Sequence, residues 1–195
     1  MTRALVVYCH PNPDSFTAAA RDRAAAALRG AGHDVRLTDL YADGFRPAMS
    51  CGERSTHKQP GIAPELQHYA DDLRWAQTLV LVYPTWWSGQ PAMLKGWIDR
   101  VWVAGVAWEL PPGANVLRPL LRNIRRIVVI TTHGSSKLIN ALEGEAGKRT
   151  VTRSMRVMCS RRTRTTWCAM YGLDTAGDEA RQRFLAKVAR AISRL

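Results

Sequence analysis

Five short apolar runs, each of strand length and most followed by a stretch of helical periodicity, constrain this chain more than any other feature. They are ALVVYC (4–9), HDVRLTDL (33–40), TLVLVYP (78–84), RIVVITT (126–132) and RTTWCAMYG (164–172). HDVRLTDL alternates, as a strand with one wet face does. TLVLVYP is apolar throughout, as a strand covered on both faces must be. Between the runs lie SFTAAARDRAAAALRG (15–30), which stops near Gly30 and Gly32, and ELQHYADDLRWA (65–76). PAMLKGWIDRVW (91–102) places Pro91 in its first turn and lines up Leu94, Trp97, Ile98, Val101 and Trp102. Residues 136–159 are helical in outline, with breaks expected near Gly144 and Gly147. Thr175 to Asp178 reads as a capping box for a last helix that carries Phe184, Leu185, Val188 and Ile192 on one face. Strands alternating with helices imply an α/β, three-layer doubly wound fold. At 195 residues the chain makes one domain, 1–195.

In an open parallel sheet, ligands bind beyond the carboxyl ends of the strands, where the strand order reverses. The segments to inspect are therefore CHPNPDSF after the first strand, YPTWWSGQP after the third and TTHGSS after the fourth. The first leads into a helix whose opening N–H groups lack internal partners and favour an anion. Ser15 and Thr17 add hydroxyls there, and His10 adds an imidazole. Neither GxGxxG nor GxxxxGK is present, and taken alone this loop reads as an ordinary helix cap.

The second segment is kept from helical geometry by Pro84 and Pro91, and Gly89 permits a tight turn. Six of the seven tryptophans (Trp75, Trp86, Trp87, Trp97, Trp102, Trp108) crowd around it. They serve as core filling, a platform for nucleic-acid bases, or walls for a flat ligand. Trp97 and Trp102, on the apolar helix face, suit a core or a subunit interface, whereas Trp86 and Trp87 lie in the loop itself. The third segment carries Thr131, Thr132, His133 and Gly134, small polar groups able to bond a ring edge. His133 alone reads equally as a surface histidine. Together the loops suit phosphate, a flat ring and that ring's polar edge, which describes a flavin nucleotide.

The charge of +12 is regional. Residues 115–168 hold twelve Lys/Arg against two acids, and the rest of the chain sixteen against fourteen. Such a face binds an anionic partner or simply stays solvated. No recognised reading motif supports nucleic-acid binding. No apolar run is long enough to span a bilayer, and no signal peptide is evident. The four cysteines show no CxxC and the five histidines no HxxH, so reduced thiols, no structural metal and a cytoplasmic setting are expected. Residues 41–64 lack periodicity and read as a long loop.

From ALVVYCHPNPDSFTAA to the final helix, the chain resembles the flavodoxin-like NAD(P)H:quinone oxidoreductases. YPTWWSGQPAMLKGWIDRVW carries the most specific likeness, and TTHGSS supports it. The resemblance implies a five-stranded parallel sheet of order 2-1-3-4-5. It implies that His10, Ser15, Phe16 and Thr17 hold flavin phosphates. Thr85, Trp86, Trp87 and Ser88 would contact the isoalloxazine, and Thr131, Thr132, His133 and Gly134 its pyrimidine edge. AGVAWEL is similar to the segment that walls the substrate pocket, which implicates Trp108. The family pattern further implies a homodimer, NAD(P)H as hydride donor, and a quinone or similar flat acceptor served by ping-pong kinetics. HPNPDSF is closer to the FAD-binding branch, with FMN as the alternative. Where the animal enzymes carry a tyrosine and a histidine after the third loop, this chain has Ile139 and Glu145. His133 stands in as a candidate charge stabiliser. An azo or nitro reductase, and an ancillary subunit of a cation-efflux system, are the other readings.

Overall fold

The computed structural model describes residues 2–195. Its central sheet comprises β1 (Arg3–Tyr8), β2 (Asp34–Asp39), β3 (Thr78–Pro84), β6 (Arg126–Thr132) and β7 (Arg164–Met170). They pair in the order β2-β1-β3-β6-β7, all parallel. Counting only the sheet's own strands, this is the expected 2-1-3-4-5. The two intervening strands, β4 (Trp108–Glu109) and β5 (Arg118–Pro119), form a small antiparallel hairpin of their own, within a segment the sequence marks only as irregular.

Alternation along the strands builds two cores. Leu5, Val7, Leu79, Leu81, Ile127 and Val129 face one side, against α3 (Gln67–Trp75) and α4 (Ala92–Val101). Ala4, Val6, Tyr8, Val80, Val82, Val128 and Ile130 face the other, against α1 (Phe16–Gly30) and α7 (Asp178–Ile192). Both faces of β3 are covered, so all seven of its residues are buried. Each large aliphatic buried there contributes about 1.5–3 kcal/mol. The alanines of α1, with Ala20 and Ala24 wholly buried, let that helix lie close on the sheet and on α7.

The segment 41–64 is more structured than its composition suggests. It contains α2 (Cys51–Ser55), opened by a capping box in which Ser50 and Glu53 exchange hydrogen bonds. Arg100 of α4, only 7% exposed, ties this segment down. It donates to Glu53 at 2.7 Å and to the Arg46 carbonyl, and pairs with Glu65 at 3.5 Å. Two expected helix signals differ from the structure. The last helix has no capping box: its N-cap is Gly177, and the Thr175 hydroxyl instead donates to the Gly172 carbonyl. Gly147 does not break its helix but sits inside α6 (Ala146–Arg149); the break falls at Gly144 and Glu145, both at positive φ. Cys9, Cys159 and Cys168 are buried thiols and Cys51 is exposed. Among the described residues, no helix is long and apolar enough to cross a membrane.

Candidate functional site

The carboxyl ends of β1, β3 and β6 open onto one cleft of about 760 Å³. It lies at the switch point, where β1 runs out to β2 on one side and β3 on the other.

The first wall is the turn from β1 into α1. Asn12 organises it: its amide donates to His10 Nδ1 at 3.0 Å, and its side-chain oxygen accepts from the Asp14 amide at 2.9 Å. Ser15 caps α1, accepting from the Ala18 amide at 3.1 Å, and its hydroxyl lies 3.3 Å from the Tyr8 phenol beneath. Burial pushes the Tyr8 phenol up, so it stays protonated and uncharged. The cap satisfies Ala18, and the Ser15 carbonyl takes Ala18 and Ala19. The amides of Phe16 and Thr17 come earlier, where a helix has no carbonyl to offer them, and both residues line the cleft. An anion there would meet those two donors and the positive end of the helix dipole.

The second wall is a hairpin. Trp86 and Gly89 exchange both backbone hydrogen bonds, at 3.2 and 3.1 Å. Trp87 and Ser88, the central pair, have φ of 48° and 56°. Two successive residues in the left-handed region define the turn that Asn-Gly ordinarily makes; a tryptophan and a serine there are strained. Strain of this kind persists only where its surroundings enforce it, and here they are visible. The Ser88 carbonyl accepts from the Gly147 amide at 2.9 Å, Gln90 donates to the Gly147 carbonyl at 2.8 Å, and Ser88 donates to Glu143. A Cβ on Gly147 would sit 3.2 Å from Gly89, so the glycine lets α6 clamp the hairpin. The Trp87 indole stands fully exposed at the mouth, and Trp86 is partly exposed beside His10.

The third wall follows β6. Its backbone is sewn to the segment after β7: the His133 amide donates to the Met170 carbonyl at 2.8 Å, and the His133 carbonyl accepts from Leu173 at 2.9 Å. The His133 amide is therefore spent. Its ring stacks on Tyr171 at 4.6 Å, with Nδ1 2.6 Å from the Asn140 amide oxygen and Nε2 3.4 Å from the Thr85 hydroxyl. Burial holds the imidazole below the ordinary histidine range, outweighing the Asn140 hydrogen bond and the carboxylates of Glu145 and Glu143. Gly134 passes so close to Asp174 that a Cβ would lie 2.5 Å from its carboxylate.

His10, Ser15, Phe16, Thr17, Thr85, Trp86, Trp87, Ser88, Thr132, His133 and Gly134 thus share one cleft. Thr131 does not line it. That residue is fully buried behind the wall and holds Thr85 by a 2.8 Å hydroxyl contact. Trp108 lies outside the cleft altogether, on β4, with its indole N–H on the Trp102 carbonyl and its ring against His57. Sequence reasoning missed Asn140, Glu143, Leu173 and Asp174, which complete the lining. No motif flags Asn140; its position seven residues after His133, one turn into a capped helix, is the only signal.

Fold and cleft together define a doubly wound parallel-sheet protein with an open cleft at its switch point. The chain belongs to the flavodoxin-like fold family, whose model matches residues 2–195. It is 31% identical over 162 residues to NAD(P)H dehydrogenase (quinone) 1 of Rattus norvegicus, covering 74% of this chain and 58% of that protein. The chain spans under two thirds of the length of the curated relatives it matches. Among solved structures, Smu.1420 of Streptococcus mutans UA159 superposes with a TM-score of 0.84 at 30% identity, covering 99% of this chain and 100% of that one. The NAD(P)H:quinone oxidoreductase of Methanothermobacter marburgensis superposes at 0.82 with 26% identity, covering 98% and 96%.

Proposed function

We propose that this chain is a flavin-dependent NAD(P)H oxidoreductase that passes hydride to a quinone or a similarly flat acceptor. The observation that carries the reading is the convergence of the three walls on one cleft. Relatives named as NAD(P)H dehydrogenase (quinone) and NAD(P)H:quinone oxidoreductase support it.

The residues present fit a flavin nucleotide. The cleft has the size of a cofactor site. Among the described residues no lysine or arginine lines it, which leaves the Phe16 and Thr17 amides, the Ser15 and Thr17 hydroxyls and the His10 imidazole to meet an anion. Phosphate would be held by backbone dipoles rather than by ion pairs. The hairpin offers Trp86 and Trp87 as flat apolar contacts, worth about 0.5–1.5 kcal/mol each beyond buried area. Thr85 and His133 supply the polar edge. Bound there, a flavin would accept hydride from a nicotinamide and release it to the second substrate. The protein's own part is to orient the ring, exclude water and meet developing charge. Both substrates using that one site in turn would give ping-pong kinetics.

FAD is the cofactor favoured by HPNPDSF, and FMN is the alternative. Trp108 does not line its own chain's cleft, so a place in the substrate pocket would be supplied by a second copy in a homodimer. The test is the visible spectrum of the purified protein before and after NADPH under argon, with the released cofactor identified by chromatography. A flavin spectrum that bleaches is expected. Protein that carries no flavin and takes none up on reconstitution would overturn the proposal.

A further inference from the structure

The buried amide of Asn140 decides which nitrogen of His133 carries its hydrogen. Asn140 is 3% exposed and His133 is 7% exposed, so the chain's own groups are the main partners of each. The Asn140 Nδ2 lies 2.8 Å from the Ser136 carbonyl oxygen and 2.8 Å from the Ser135 hydroxyl. A carbonyl oxygen only accepts, so the nitrogen of the amide, not its oxygen, must face Ser136. That orientation turns Oδ1 toward His133 Nδ1, at 2.6 Å. Oδ1 also only accepts, so the hydrogen sits on Nδ1. Nε2 is left with its lone pair. On the far side, Thr131 and Thr85 hydroxyls lie 2.8 Å apart, and Thr85 is 3.4 Å from Nε2. Every hydroxyl hydrogen can run one way, from Thr131 to Thr85 to Nε2, with the ring passing its own Nδ1 hydrogen on to Asn140.

We infer that Asn140 is a positioning residue that fixes His133 as the Nδ1–H tautomer and presents Nε2 to the cleft as a hydrogen-bond and proton acceptor. The site therefore takes a ligand that offers an N–H or O–H donor at this wall, and His133 becomes a donor or a cation only after taking up a proton at Nε2. The assignment rests on the proposed flavin site only for the identity of that ligand; the tautomer follows from the chain's own hydrogen bonds. The 3.4 Å contact from Thr85 is long for a hydrogen bond, so a ligand donor can take its place at little cost. Charged and titratable groups around the ring are Tyr171 stacked on its face, Glu143 and Glu145 on the α5 (Lys137–Leu142) to α6 side with Lys148 on Glu145, and Asp174 across Gly134. The two glutamates favour a proton on the ring and burial disfavours it, with burial the larger.

The test is 15N NMR of the histidine rings in the purified full chain, with ring assignment by His133→Gln. A pyrrole-type shift at Nδ1 and a pyridine-type shift at Nε2 are expected above the pKa of the ring. In Asn140→Leu the acceptor is gone, and the Nδ1–H signature should give way to Nε2–H. In Asn140→Asp an acceptor remains, so the tautomer should persist, and the added carboxylate should move the titration to higher pH. Flavin retention, read by absorbance on the same samples, should fall as pH drops through the His133 titration, and that fall should begin at higher pH in Asn140→Asp. Wild-type Nε2–H would overturn the inference, as would an unchanged Nδ1–H in folded Asn140→Leu; if that variant does not fold, the wild-type and Asn140→Asp spectra decide. The Nδ1–H form in a protein that never binds flavin would leave the tautomer assignment standing and sink the cofactor reading. Bound flavin with the opposite tautomer would do the reverse.

Discussion

Trp87 shows at the scale of one residue how the site departs from what folding alone would choose. Its φ of 48° costs a non-glycine residue about 1–2 kcal/mol, and its fully exposed indole recovers nothing by burial. Trp87→Asn keeps the turn with a residue that tolerates this conformation. The variant should gain up to about 1 kcal/mol in thermal unfolding. Under the proposed function it should also hold flavin less tightly. A variant both less stable and equally retentive would show that the indole serves the fold. The tryptophan pair was visible in YPTWWSGQP, but the strain at Trp87 and Ser88 was not, because those dihedral angles follow from the clamp that Glu143 and Gly147 make on Ser88 and Gln90. His133 was legible in TTHGSS. Its partner Asn140 was not, since nothing in a sequence says which amide will be buried against which ring. His133 also gives the molecule a pH dependence. Its folded pKa lies below the ordinary value of 6.5, so the unfolded chain binds the proton first as pH falls. Stability from this group is intact above that value and is lost on the way down to the folded pKa.

Elements were read well where hydrophobic period alone decides them and poorly where side chains choose between partners. The five sheet strands coincide with the apolar runs to within a residue or two, β1 beginning at Arg3, because a run of apolar residues bounded by turns has few ways to hide its pattern. The capping signal failed at Thr175 because its hydroxyl found the Gly172 carbonyl within a tight turn, and α7 begins instead with Asp178 and Glu179 against its dipole. The same signal went unread at Ser50, inside a segment with no periodicity to frame it. That segment is held by Arg100 and by close contact at Gly96. A Cβ on Gly96 would lie 2.4 Å from Pro47, partly from its backbone, with no flexible atom to give way. Gly96→Ala should destabilise by about 1–3 kcal/mol, as overpacking does. Gly30→Ala, at the end of α1 with open space around it, should instead stabilise by up to about 1 kcal/mol. Thermal or denaturant unfolding of the two variants measures the contrast. Equal effects would mean that α4 and the 41–64 segment are not pressed together.

At the scale of the whole molecule, the sheet separates two chemistries by its polarity. The carboxyl ends of the strands carry the cleft, which no lysine or arginine lines. The amino ends carry arginine. Arg126 of β6 stands in register with Arg164 of β7, the Arg164 amide bonds the Arg125 carbonyl, and Arg126 reaches the Arg194 carbonyl. Arg161 and Arg162 lead into β7 on the same edge, both exposed. The excess of +10 between 115 and 168 was countable in the sequence. The meeting of five of its arginines (Arg125, Arg126, Arg161, Arg162 and Arg164) with Arg194 at one end was not, because it depends on three segments apart in the chain meeting at one edge. None of Arg125, Arg126, Arg161, Arg162, Arg164 and Arg194 forms an ion pair among the described residues. Charges gathered this way act within a Debye length of about 8 Å as a patch rather than as a diffuse net charge. Arg161→Glu with Arg162→Glu should therefore elute from an anionic matrix at clearly lower salt than Arg23→Glu with Arg29→Glu, a change of equal net charge on exposed positions of α1. Flavin content should be equal in both, since the cleft is at the other end of the strands. Equal elution of the two would mean that the arginines are a solvated surface with no patch character. A loss of flavin confined to the first variant would mean that the two ends of the sheet are coupled.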